Sequence, residues 1–275
     1  MTNLSNESVE KQGSSSGLSN IFAAIAVLIC LGFGYIIWAF VLGAGSNFVG
    51  GDNQADPIPG SLMGMMYKGG YVIAVLIGLL TTTVVFGIER FIVITKAGGS
   101  GDNKTFVGKI QALVSANQIN EAIELCDTQK GSVANVVKSA LVKFKEVKAE
   151  GFDADKATET IQKEIEEATV LEMPMLEKNK IVLATSDSTR TLIGQIATVT
   201  EMIKAFSALS TSGSPDSSAL ATGISEALMN TATGIGTSTL AIIFYNAFTT
   251  KIDKLTHFID EAGFAITQSY RRNNR

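Results

Sequence analysis

The sequence predicts an all-α polytopic membrane protein with four transmembrane helices, two of them long and extending into a cytoplasmic helical bundle. Three observations carry this. Charged residues are 17% of the 275 and hydrophobic ones 46%, whereas a soluble domain is about a quarter charged. The charges fall in blocks separated by long uncharged tracts. The polar block between those tracts repeats its apolar residues at helical spacing. The net charge is −4 and no basic run marks a nucleic-acid surface, so no nucleic-acid partner is expected.

The N-terminus, residues 1–20, is polar and serine-rich, a flexible segment by composition. Residues 21–44 (Ile21 to Ala44) hold 24 residues without a charge, enough to cross a hydrocarbon core of about 30 Å. The one nearby base is Lys11, so this run reads as a retained helix, not a signal peptide. The loop SNFVGGDNQADPIPG follows, then a second span over residues 69–97, with 20 uncharged residues from Gly69 to Ile88. Residues 98–179 form the expected cytoplasmic helical domain. FVGKIQALV, INEAIELC and ANVVKSALVKF each place apolar residues at i, i+3, i+4 and i+7, with GSGD, QKGS and EGFD as breaks. Residues 180–210 and 217–250 read as two pore-lining transmembrane helices, the latter with 24 uncharged residues from Ala227 to Thr250. Residues 251–275 continue as a C-terminal helix with a stripe of Ile252, Leu255, Phe258, Ile259 and Ala262.

Loop charges set the orientation. Arg90, Lys96, Lys104 and Lys109 follow the second span, Lys178 and Lys180 precede the third, and Lys251, Lys254, Arg271, Arg272 and Arg275 follow the fourth. The opposite loops carry Asp52, Asp56 and Asp216 against Lys68. The bundle and the C-terminus are therefore expected to be cytoplasmic. Cys30 and Cys126 lie far apart and His257 is the single histidine, so no disulfide framework, metal site or cofactor is expected. Both cysteines read as small buried hydrophobes. No nucleophile–base pair points to an enzyme.

The third span, TLIGQIATVTEMIKAF in its centre, holds polar groups that a bilayer penalises: a central charge costs about 2.5–3.5 kcal/mol on translocon scales. Periodicity resolves this. Asp187, Arg190, Thr191, Gly194, Thr198, Glu201 and Ala205 fall within a sector of roughly 100°, so one face meets protein or water and the rest meets lipid. Asp187 and Arg190 form the cytoplasmic end of this stripe. In the fourth span Glu226, Asn230, Thr233 and Thr237 share a stripe at i, i+4, i+7 and i+11. In an antiparallel pair Glu201 and Glu226 stand at similar depth, and Thr198 and Thr231 near a common level a turn deeper. Intramembrane ionisable groups commonly mark ion pathways and proton relays, and a hydroxyl both accepts and donates. The structural alternative is glue, since Ser, Thr and Gln join helices and Gly234 and Gly236 allow close packing. Lys204 lies off the stripe and can pair with Glu201.

These stretches resemble the MotA/TolQ/ExbB proton-channel family, closest to the ExbB and TolQ branch. ISEALMNTATGIGTSTLAIIFYNAF (Ile224 to Phe248) is similar to the family's last-helix pattern, and TLIGQIATVTEMIKAF (Thr191 to Phe206) to the preceding helix. VLIGLLTTTVVFGIERF with INEAIELC is similar to its early span and cytoplasmic domain. The resemblance covers about Gly69 to Leu255 and implies a homopentamer around two copies of an ExbD/TolR-like single-span partner, coupled to a TonB/TolA-like energy transducer. It places the family's pore threonines on Thr198 and Thr231 and its last-helix glutamate on Glu226. The proton-carrying aspartate belongs to the partner. It implies a subunit of an inner-membrane motor complex, with its C-terminus cytoplasmic and lipid around it, that uses the proton motive force to energise TonB-dependent transport. The alternatives are a TolQ-like envelope-maintenance subunit, a gliding motor subunit, or a secondary transporter coupled through Glu201 and Glu226. Gln195, Ala197 and Glu201 depart from the family's usual Leu, Gly and Gly, and the first span lies outside the common three-span core.

Overall fold

The structure, a computed structural model, describes residues 23–273 apart from 179 and 212–216. The polar N-terminus (1–20), Asp216 and Arg275 lie outside the described residues. Among these residues the chain is helical, with no strand and one isolated bridge between Phe48 and Pro57. The helices are α1 (Ala23–Leu42), α2 (Leu62–Lys68), α3 (Tyr71–Ala97), α4 (Asn103–Ser115) and α5 (Ile119–Gln129). There follow α6 (Gly131–Ala149), α7 (Ala154–Glu177), α8 (Lys180–Thr211) and α9 (Ser217–Asn273). Four stretches, Ala23–Leu42, Tyr71–Ala97, Ser188–Ser210 and Leu220–Asn273, are long and apolar enough to cross a membrane. The chain divides into two compact units, residues 23–87 with 182–244 and residues 88–181 with 245–273.

In the first unit α1 packs on α3 through glycines. A β-carbon at Gly34 would come within 2.3 Å of the Gly78 backbone nitrogen, and one at Gly78 within 2.7 Å of the Leu31 Cα. Such proximity is open only to residues without a side chain. The end of α1 is a π-helical turn, Ile37–Leu42. It sets Trp38 against Tyr67, with ring centroids 4.7 Å apart, and the indole Nε1 donates to the Tyr67 carbonyl at 3.1 Å. The segment after the first loop forms α2, an additional short helix, because the Ser61 hydroxyl caps it by accepting from the Gly64 amide. Gly34→Ala should loosen α1 at a cost of about 1–3 kcal/mol. Thermal unfolding in detergent measures this, with Gly32→Ala, which meets open space, as the control.

The second unit is built from amphipathic helices. Phe106, Val107, Ile110 and Val114 of α4, Ala140, Leu141 and Phe144 of α6, and Ile161 of α7 are all at most 2% exposed. The α9 stripe joins this core through Ile252, Leu255, Ile259, Ala262, Ile266 and Tyr270, while Phe258 is half-buried. Each buried aliphatic or aromatic side chain contributes about 1.5–3 kcal/mol. Asp102 starts α4 by accepting from the Thr105 amide at 2.9 Å, and those hydrogen bonds hold its carboxyl below the ordinary range. Arg90, 2% exposed, donates to the Met175 carbonyl at 3.0 Å and so serves the last turn of α7, where Pro174 interrupts the backbone ladder.

Cys30 and Cys126 are both buried free thiols. Burial, reinforced by the charge of Asp127, pushes the Cys126 thiol up to about 12 from an ordinary 9.0. The folded state thus binds this proton more tightly than the unfolded state. That stabilisation is present in full below pH 9.0 and is lost as pH rises toward 12. Cys126 should therefore resist maleimide at pH 8 in the folded protein and react once it is unfolded, as mass spectrometry of the labelled chain would record.

Candidate functional site

α8 and α9 approach closely because glycines meet at their crossing. A β-carbon at Gly194 would come within 2.9 Å of the Asn230 carbonyl oxygen, and one at Gly234 within 3.0 Å of the Arg190 carbonyl oxygen. Nearer the loop between the helices, a β-carbon at Gly223 would stand 2.8 Å from the Ala205 Cβ. Gly236 meets open space, so it takes no part in this crossing: two residues beyond Gly234 it points to the opposite side of the helix.

This proximity brings Thr198 and Thr231 together. Their hydroxyl oxygens are 2.5 Å apart, and that of Thr198 also lies 2.8 Å from the Ala227 carbonyl oxygen and 2.9 Å from that of Gly194. A hydroxyl has one proton to donate. If Thr198 gives its proton to a carbonyl, Thr231 donates to Thr198; if Thr198 donates to Thr231, the carbonyls are released. The pair thus has two hydrogen-bond directions, the minimum needed to hand a proton along. About two turns toward the cytoplasmic end expected for α8, the Thr191 hydroxyl donates to the Ser238 hydroxyl at 2.9 Å, a cross-helix bond that periodicity alone did not single out.

Glu226 is half-buried on α9, next to Ala227 in sequence. The charges whose fields reach it are Lys68, Glu201 and Asp56. Glu201 forms an ion pair with Lys204 at 2.7 Å, within one helical turn. Lys68, last residue of α2, donates to the Gln54 carbonyl at 2.9 Å. Lys68 and Asp56 belong to the connection between the first two spans, which the sequence reading uses only for orientation. The available signal was that Lys68 is the single base between Lys11 and Arg90.

The remaining stripe residues separate. Thr233 and Thr237 donate to the carbonyls four residues back, at 2.8 Å each, so their hydroxyls are held by their own helix. Asn230 is fully buried and turns away from Thr198, toward the α2–α3 turn: a β-carbon at Gly69 would come within 3.0 Å of its Oδ1. Neither its amide nitrogen nor its oxygen has a hydrogen-bond partner among the described residues. At the other end of α8, Arg190 is fully buried, and Asp187 lies in the helix with its side chain outside the described set.

Residues 129–261 match the profile of the MotA/TolQ/ExbB proton channel family. The matched span runs from the end of α5 into α9 and contains Thr198, Glu201, Glu226, Asn230, Thr231, Thr233 and Thr237. The resemblance to this family thus covers 133 of the 275 residues, just under half of the chain. It is 26% identical over 158 residues to a biopolymer transport protein described as ExbB-like 3 from Synechocystis sp., covering 56% of this chain and 75% of that one. It is 29% identical over 124 residues to the Tol-Pal system protein TolQ of Pseudomonas aeruginosa, covering 45% of this chain and 54% of that one. Both relatives fall in the ExbB/TolQ branch of the MotA/TolQ/ExbB family. The first two spans, α4 and nearly all of α5 lie outside the matched residues.

Proposed function

We propose that this chain is the proton-conducting subunit of an inner-membrane motor complex that uses the proton motive force to energise TonB-dependent transport across the outer membrane. The match of residues 129–261 to a proton channel family supports a stator-like channel subunit in a multi-pass membrane protein. The observation that carries the reading is the Thr198–Thr231 hydroxyl pair, made between two helices each long enough to span and set beside Glu226. Five copies would surround two ExbD/TolR-like helices, with Thr198, Thr231 and Glu226 serving the proton path and the partner's carboxylate carrying the charge. One charge crossing the membrane is worth about 2.3 kcal/mol per 100 mV, enough for several protons to drive movement of a TonB/TolA-like transducer. The TolQ relative favours a second reading, a Tol-type envelope complex on the same proton path.

Proteoliposomes holding the complex with its co-purified partner test this. A potassium diffusion potential, negative inside, should drive proton uptake reported by an internal pH dye. A complex that holds the partner and passes no protons, or passes sodium equally well, would contradict the proposal.

A further inference from the structure

We infer that a cavity between the α2–α3 turn and α8 binds the headgroup of an anionic phospholipid, with an acyl chain lying along its apolar wall. The cavity, about 470 Å³, is lined by Lys68, Tyr71 and Lys204, with Glu201 paired to Lys204, and by the apolar Ile193 and Ile196. The two lysines are far apart in sequence, and each is the single base in its stretch, Lys68 between Lys11 and Arg90 and Lys204 between Arg190 and Lys251. Both reach the same cavity. Outward loops are poor in bases under the positive-inside rule, so the convergence of both calls for an anionic occupant.

Depth and shape identify that occupant. Trp38 stacks on Tyr67 and lies 5.0 Å from the Tyr71 ring, an aromatic cluster of the kind that marks headgroup level. Gly70, Tyr71 and Val72, at the N-terminal start of the 27-residue α3 (Tyr71–Ala97), line the same cavity, and such a terminus favours phosphate. Lys204 is paired with Glu201, whereas Lys68 makes no ion pair among the described residues. Lys68 spends one of its three ammonium protons on the Gln54 carbonyl and keeps two for a phosphate oxygen. The apolar part of the lining, Val72, Ile193, Ile196 and Ala197, is fitted to an acyl chain.

The test uses the full complex with its partner, stripped of native lipid in detergent and incubated with equal amounts of phosphatidylglycerol and phosphatidylcholine before native mass spectrometry. Phosphatidylglycerol adducts should exceed phosphatidylcholine by about tenfold or more. The Lys68→Gln/Lys204→Gln double variant should lose that preference. Ile196→Trp keeps both lysines but fills the wall, and should lower retention of both lipids. Lys109→Gln, on the cytoplasmic block, should change nothing. Equal retention of the two lipids, no retention, or a preference that survives the double variant would overturn the inference. So would displacement of phosphatidylglycerol by millimolar inorganic phosphate, which would mark a site for a free anion.

Discussion

Replacing Glu226 with glutamine should reduce proton flux through the assembled complex by about a hundredfold or more, the range contributed by a positioned proton-transfer group. The substitution keeps the shape of the side chain and its half-buried position on α9, and removes only the ionisable proton. Stoichiometry should not change, so native mass spectrometry of the variant separates lost conduction from lost assembly. Glu201→Gln is the matched comparison. Glu201 shares its charge with the exposed Lys204 at 2.7 Å, and an exposed pair is worth about 0–1 kcal/mol, so flux should fall no more than about fivefold. If both variants conduct equally, Glu226 has no special part in the path.

Thr198→Val should lower flux by about 10- to 100-fold, because it leaves the Thr231 hydroxyl facing a methyl group, at a cost of about 1–3 kcal/mol. Thr198→Ser retains the hydroxyl and should restore most of the flux. The decisive variant is Thr198→Val/Thr231→Val. If the pair only joins helices, replacing both partners by apolar groups of the same shape is nearly neutral, and flux should return with stability. If the pair hands on a proton, thermal stability recovers and flux stays low. The two measurements therefore move apart under one reading and together under the other.

The four spans were legible because length and charge depletion act locally along the chain, and the extension of α9 into the second unit followed from the stripe at Ile252, Leu255 and Ile259. The antiparallel levels of Thr198 and Thr231 could be counted from the connecting loop, since both helices rise at a fixed rate per residue. What stayed hidden depended on contacts distant in sequence. Asn230 shares a stripe with Glu226, yet its direction is set by Gly69, from a turn that no periodicity describes. Gly234 and Gly236 read alike as small residues, and only the crossing geometry shows that Gly194 meets the first. The cavity that unites Lys68 with Lys204 could not be seen from either stretch alone. The short helix α2 fell in a segment whose start, at Ser61, carried a capping signal too brief to separate from a loop.

The most direct test of the central claim is native mass spectrometry of the complex purified gently from its own membranes. Five copies of this chain with two of a small single-span protein that carries an aspartate in its transmembrane segment are expected. A monomer or dimer without such a partner would contradict it, and Glu201 and Glu226 would then be read as the coupling pair of a transporter.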